Sequence, residues 1–230
     1  LQDGFTPDVN GERLQVMLSL AEVGEEPLAA WKADVDLGDF VWVTGRVIVS
    51  KRGELSIMAS EWRMAAKALR PLPVLHKDLS EEARVRRRYV DLIVRDEARD
   101  MVRKRSAITR AVRETLYGQG YLEVETPILQ AAPGEEVHLR GFATEWELPD
   151  GEEHERWLHT SPEFAMKKLL AAGETRIHAF SHVWRNRERG ALHSPEFTML
   201  EWYRVGEGYE VLMADTMAFL RAAAREAGAE

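Results

Sequence analysis

The chain has 230 residues, 31 basic and 39 acidic, a formal net charge of −8 and no cysteine. Lack of cysteine excludes a disulfide scaffold, Cys-ligated zinc, an iron–sulfur cluster and thiol catalysis. The length holds one large domain or two small ones, no apolar run approaches the ~18 residues of a membrane span, and no secretory signal is recognisable, so a cytoplasmic location without membrane contact is expected.

Residues 1–70 read as β-rich. Leu14–Leu20 predicts a short strand after a polar turn at Asn10-Gly11, and Pro27–Lys32 a short helix. Phe40–Val49 alternates, with Phe40, Trp42, Thr44 and Arg46 on one face and Val41, Val43, Gly45 and Val47 on the other. Lys51-Arg52-Gly53-Glu54 predicts a hairpin turn, and Leu55–Met64 the returning strand. Glycine inside a strand marks a bulge or bend, here at Gly45. These elements fit a five-stranded OB-type barrel, and an SH3-like barrel fits them too.

The two prolines of Leu69–Pro73 predict a linker. Residues 80–118 predict a helix with Ser80 as N-cap, Glu81 and Glu82 in its first turn, and Met101, Ile108, Val112 and Leu116 at helical spacing; Gly118 and Gly120 end it. Tyr121–Thr126 reads as a strand closed by Pro127. Val137–Leu148 and Arg156–Thr160 read as antiparallel strands joined at Pro149-Asp150-Gly151. Pro162–Ala172 predicts a helix with Ser161 as N-cap and Pro162 at the first helical position. Strands over Arg176–Trp184 and Glu196–Arg204 flank an Arg-rich loop, and Tyr209–Ala227 is a closing helix. The fold class is α+β.

Charge is unevenly placed. From Arg84 to Arg113 stand eleven Lys/Arg against four acids, Asp91, Asp96, Glu97 and Asp100. A basic stripe on an acidic protein fits a phosphate or nucleic-acid surface, and equally a solvated helix face with i,i+4 ion pairs. Charge does not decide between them.

Two segments carry candidate chemistry. The first is Gly120-Tyr121-Leu122-Glu123-Val124-Glu125-Thr126-Pro127-Ile128-Leu129, where a long helix runs through glycine into a strand. The second, Trp184 to Tyr203, is strand, polar loop, strand. Period 2 places Phe197, Met199, Glu201 and Tyr203 on one face. An aromatic platform, a carboxylate on the same face, Arg185 leaving the preceding strand and His193 across the loop suit a nucleotide-plus-amine site, because a guanidinium donates two bonds to phosphate. A surface hairpin with Phe and Met in the core and solvated Arg and Glu fits the same pattern.

The stretches 120–129 and 184–203 resemble motifs 1 and 2 of the class II aminoacyl-tRNA synthetases, with Pro127 at the fixed proline of motif 1. Leu69–Leu72 and Arg86-Arg87-Arg88-Tyr89-Val90-Asp91-Leu92 are similar to the linker and first helix of the lysine-specific branch. From about Pro133, the segments Val137-His138-Leu139, His159–Lys167 and Pro195–Arg204 are more similar to the paralogous lysyltransferases that modify elongation factor P.

The resemblance implies a truncated OB-fold anticodon-binding domain at 1–68, a linker at 69–80, and at 81–230 the first part of a class II antiparallel α/β catalytic domain. It implies a lysine–tRNA ligase that activates lysine with ATP and transfers it to tRNA(Lys). Two alternatives remain: a lysyltransferase acting on elongation factor P, and a non-enzymatic class II-like module for tRNA binding or dimerisation. A barrel that reads anticodon bases favours the tRNA reading.

By the same resemblance, Arg185 contacts the α-phosphate, His193 the distal phosphates, and Phe197 stacks on adenine. Glu163 takes the α-ammonium of lysine, Glu201 binds on the substrate side, and Ser161 orients the amino acid or simply caps its helix. The motif departs at Arg187, where the family carries Glu; Glu188 stands next and is the candidate ATP contact. Pro127 belongs to a homodimer interface. Mg²⁺ accompanies ATP, with its ligands expected beyond this chain. The chain opens on Leu1 without an initiator Met and lacks motif 3, so it reads as a fragment, and efficient adenylation by residues 1–230 alone is not expected.

Overall fold

The computed structural model describes residues 14–70, 72, 79–134 and 136–229. The turn at Asn10-Gly11 and most of the linker from Pro71 to Lys77 lie outside them. The chain divides into two compact units, Leu1–Arg103 and Lys104–Glu230. Among the described residues no helix is long and apolar enough to cross a membrane.

The first unit holds β1 (Gln15–Met17), α1 (Leu20–Val23), α2 (Glu25–Asp34), β2 (Phe40–Val49) and β3 (Leu55–Ala66). Its sheet has the order β1-β3-β2, with β1 parallel to β3 and β2 antiparallel to it. Three strands form no closed barrel among the described residues. The expected strand at Leu14–Leu20 stops at Met17, because Ser19 turns the chain into α1: its carbonyl accepts the amides of Glu22 and Val23. The hairpin forms where expected, with Gly53 at φ 84° and the Ser50 hydroxyl accepting the Glu54 amide.

Gly45 sits at a β-bulge: Thr44 pairs with Glu61 and Gly45 with Ala59. The unpaired residue is Ser60 of β3, and the half-buried positions of β2 change parity beyond Gly45. Val41 and Val43 face inward as expected, but Val47 is 71% exposed and Ile48 is the half-buried residue. Strict period 2 across a bulge assigns every later side chain to the wrong face. A Cβ at Gly45 would lie 2.0 Å from the Met58 carbonyl oxygen. Gly45→Ala is therefore expected to destabilise this unit by about 2 kcal/mol; a denaturant midpoint equal to wild type would show that the bulge relaxes freely.

The helical stretch from residue 80 is three helices, α3 (Glu81–Arg86), α4 (Arg88–Val94) and α5 (Asp96–Gly118). Ser80 caps the first, its hydroxyl accepting the Ala83 amide at 3.2 Å. Arg87 and Arg95 leave helical geometry, at φ/ψ of −120/51° and −128/115°. The carboxylate of buried Asp91 takes Arg88 at 2.7 Å and Arg95 at 2.9 Å. Arg86 pairs with Glu82, Arg110 with Glu114 and Arg113 with Glu123. Much of the basic stretch is thus committed to ion pairs within the fold.

The second unit continues from α5 with β4 (Leu122–Glu123), β5 (Leu129–Gln130), β6 (Phe142–Glu147), β7 (Glu153–Leu158), α6 (Glu163–Ala171), β8 (Arg176–Trp184), β9 (Glu196–Arg204) and α7 (Tyr209–Ala227). One sheet runs β4-β8-β9, with β4 parallel to β8 and β9 antiparallel to it; the other runs β5-β7-β6. The expected strand over Tyr121–Thr126 shrinks to two residues. The expected strand from Val137 begins only at Phe142, because the Leu139 amide turns back to the Glu136 carbonyl.

The two faces of the β8–β9 pair carry separate cores. On one, Phe180, Leu200 and Trp202 meet Val112 and Leu116 of α5 and Phe219 of α7. On the other, Ile177, Ala179 and Tyr203 meet Met166, Leu169 and Leu170 of α6. A strand pair covered on both faces is apolar throughout, so its polar side chains stand out as having another purpose.

Candidate functional site

The α6 face of β8–β9 presents the alternating set Phe197, Met199, Glu201 and Tyr203, opposite Val183, Ser181, Ala179 and Ile177. Over this face runs His159-Thr160-Ser161, which leaves β7 and enters α6. The His159 carbonyl accepts the Trp184 amide, and this anchors the segment on the end of β8.

Ser161 joins two of the expected groups. Its hydroxyl donates to Glu201 Oε1 and accepts the Glu163 amide at 3.1 Å. The N-cap residue of α6 is Pro162 rather than Ser161, and Glu163 opens the helix. The serine oxygen still holds the first helical amide while its proton serves Glu201. Ser161→Ala is expected to lower stability by about 1 kcal/mol, since one donor and one acceptor lose their partner. Chemical denaturation measures this, and no loss would reduce the hydroxyl to a bystander.

The other Glu201 oxygen accepts the Tyr203 hydroxyl at 2.9 Å. Burial, then the bond to Glu201, pushes the Tyr203 phenol far above its ordinary range, so it remains a donor at any physiological pH. Glu163 pairs with Lys167 on the next turn of α6. Beneath the segment, His159 is buried with Nε2 2.7 Å from the His182 carbonyl, and burial lowers its pKa, which keeps the ring neutral.

At the outer end of the same face, the Arg185 guanidinium lies 5.2 Å from the Phe197 ring centroid, and its Nε donates to the Thr160 carbonyl at 3.4 Å. Its two terminal nitrogens have no protein partner among the described residues. Arg185, Thr160, Ser161 and Glu201 therefore form one connected line from a free cationic fork to a carboxylate.

The loop after Arg185 turns sharply. Arg187 has φ 66°, the one positive value among the described non-glycine residues, and its amide is held by Asn186 Oδ1 at 2.8 Å. The Asn186 amide bonds the Arg140 carbonyl. His193 closes a backbone turn with Gly190 and is exposed; Glu188 is half-buried. Neither contacts Arg185 or Phe197 among the described residues. Pro127 lies beyond β4 and is exposed, as are Ile128 and Leu129 after it. Among the described residues no three His, Cys, Asp or Glu gather to hold a metal ion.

Three contributors receive no role from the sequence pattern alone. Tyr203 was discoverable, because it shares the period-2 face with Glu201. Lys167 was discoverable from its i,i+4 spacing to Glu163. The Thr160 carbonyl was not, since a backbone acceptor leaves no trace in residue identity.

The doubly covered β8–β9 hairpin thus carries an Arg185 fork, an aromatic ring and a hydrogen-bonded carboxylate on one face. Residues 80–230 match the tRNA synthetases class II (D, K and N), and the chain belongs to that family. It is 51% identical over 227 residues to a lysine–tRNA ligase of Kineococcus radiotolerans, covering 99% of this chain and 44% of that relative. It is 48% identical over 227 residues to a lysine–tRNA ligase of Mycobacterium bovis, covering 99% of this chain and 43% of that relative. Over 212 residues it is 40% identical to the lysylphosphatidylglycerol biosynthesis bifunctional protein LysX of Rhodococcus opacus, covering 92% of this chain and 19% of that relative. The chain spans less than half the length of these relatives.

Proposed function

We propose that this chain carries part of a lysine–tRNA ligase, which joins lysine to ATP as lysyl-adenylate and then passes it to tRNA(Lys). The observation that carries the reading is the pairing of a free Arg185 fork on Phe197 with the Ser161–Glu201–Tyr203 carboxylate cluster on the same sheet face. The names and identity of the relatives support lysine as the amino acid.

In this reading the adenine ring lies on Phe197 and the α-phosphate on Arg185. His193 reaches the distal phosphates, with Glu188 contacting ATP across the turned loop. Glu163 takes the α-ammonium of lysine, and Glu201, held by Ser161 and Tyr203, faces the substrate. The lysine carboxylate attacks the α-phosphorus, pyrophosphate leaves, and no protein nucleophile is needed. Arg185 stabilises the charge that builds on the phosphoryl oxygens, and the site works by positioning and electrostatics. Bound Mg²⁺ would offset charge on the ATP phosphates.

The β1-β3-β2 sheet, with its bulge at Gly45, is assigned to an OB-fold anticodon domain over 1–68, followed by a linker at 69–80 and the first part of the catalytic domain at 81–230. Pro127, followed by exposed Ile128 and Leu129, is assigned to a homodimer interface. The working compartment is the cytoplasm. The test is ATP–pyrophosphate exchange by the gene product carrying this sequence, with each amino acid in turn, followed by tRNA and elongation factor P as acceptors. Lysine-dependent exchange and lysyl transfer to tRNA are expected. Transfer to the protein and not to tRNA would sink the reading.

A further inference from the structure

The two acids of the candidate site have different companions. Both oxygens of Glu201 are bonded by neutral hydroxyls, those of Ser161 and Tyr203. Glu163 is bonded by a cation, the Lys167 ammonium on Oε1. That ammonium is held in its charged form first by the bond to Glu163 and, at longer range, by the field of Glu201. It is the cation the fold itself supplies to this pair of carboxylates. Its side chain is 54% exposed, so its flexible stem can carry the head group into water without repacking the core. A lysine side chain also presents the same group as the proposed substrate, a primary ammonium.

We propose that Lys167 is a resident counter-cation on Glu163, which the ammonium of the substrate displaces on binding. This rests on the reading that Glu163 receives that ammonium. The exchange is one ammonium for another on the same carboxylate, so Glu163 never stands as an unpaired charge in a half-buried site. The consequence is a lowered affinity, because the substrate must compete with a tethered group of its own kind. Lys167 thus sets affinity, and it acts through Glu163 without touching the reacting atoms.

The test is titration of the gene product carrying this sequence with L-lysine, followed by calorimetry, in wild type and in Lys167→Met, Lys167→Arg and Glu163→Gln. Met keeps the length and helix propensity of the side chain, so the loss of one exposed i,i+4 pair leaves α6 intact. Lys167→Met is expected to tighten the Kd by about threefold, the scale of one exposed ion pair. It should also steepen its dependence on salt, since binding then adds a cation instead of exchanging one. Lys167→Arg, which keeps the competitor, should bind no more tightly than wild type. Glu163→Gln should weaken binding by more than about tenfold. If Glu163→Gln weakens binding but Lys167→Met does not tighten it, the inference fails alone. If Glu163→Gln changes nothing, the assignment of Glu163 falls and the inference with it. Lack of saturable binding in every variant overturns both.

Discussion

Arg185→Ala is expected to lower lysine-dependent ATP–pyrophosphate exchange by about 10²- to 10³-fold, the usual cost of removing one donor aimed at developing charge. The size follows from how the side chain is held. Its Nε is taken by the Thr160 carbonyl and its plane lies near the Phe197 ring, while the terminal fork remains free. The protein has therefore oriented this guanidinium in advance, and a phosphate meets a donor pair that needs no reorganisation. Arg185→Lys should recover little, because an ammonium cannot hold Thr160 and bind two phosphate oxygens at once. Phe197→Leu should mainly raise the KM for ATP, since it removes the stacking surface and one flank of the fork. Exchange by Arg185→Ala within tenfold of wild type would remove Arg185 from the chemistry.

Asp215→Ala should be the most damaging change to stability in the second unit, by about 3 to 5 kcal/mol. Asp215 is 3% exposed on α7. It accepts the Tyr121 hydroxyl at 2.5 Å and Arg204 at 3.1 Å. Its loss leaves a nearly buried guanidinium with only Glu207, at 2.9 Å, and a buried phenol with no acceptor. Tyr121→Phe is the control: it removes one hydrogen bond and should cost about 1 kcal/mol. Urea unfolding separates the two, and a loss below about 1 kcal/mol for Asp215→Ala would show that water reaches the site. The cluster joins α7, the end of β9 and the residue leading into β4, so the damage should spread to the strand that carries Glu201.

How far these features were legible in the sequence depends on what each required. Phe40–Val49, Arg176–Trp184, Glu196–Arg204 and Tyr209–Ala227 could be bounded from local pattern alone, and the structure gives them the same limits. The face shared by Phe197, Glu201 and Tyr203 followed from period 2, because no bulge interrupts β9. The same rule failed beyond Gly45, where the bulge itself was foreseen but its effect on parity was not carried forward. Residues 80–118 looked like one helix because their composition favours helix throughout; the breaks at Arg87 and Arg95 flank the buried Asp91, and no proline or glycine marks them. The link from Arg185 through Thr160 and Ser161 to Glu201 joins residues up to 40 apart in sequence, partly through a backbone carbonyl. Pattern can nominate its members but cannot connect them.

The double covering of the β8–β9 pair makes this site an all-or-none assembly. Sliding β9 by a single residue would turn Glu201 into the hydrocarbon layer under α5 and α7, and would deliver Leu200 or Trp202 to the α6 side in its place. Both changes are costly, because one buries a carboxylate without its partners and the other removes it from the site. A register error in this hairpin is therefore expected to remove the Ser161–Glu201–Tyr203 cluster outright instead of adjusting it. A change in what this face accepts is then expected from substitution of individual side chains, not from small shifts of the strand.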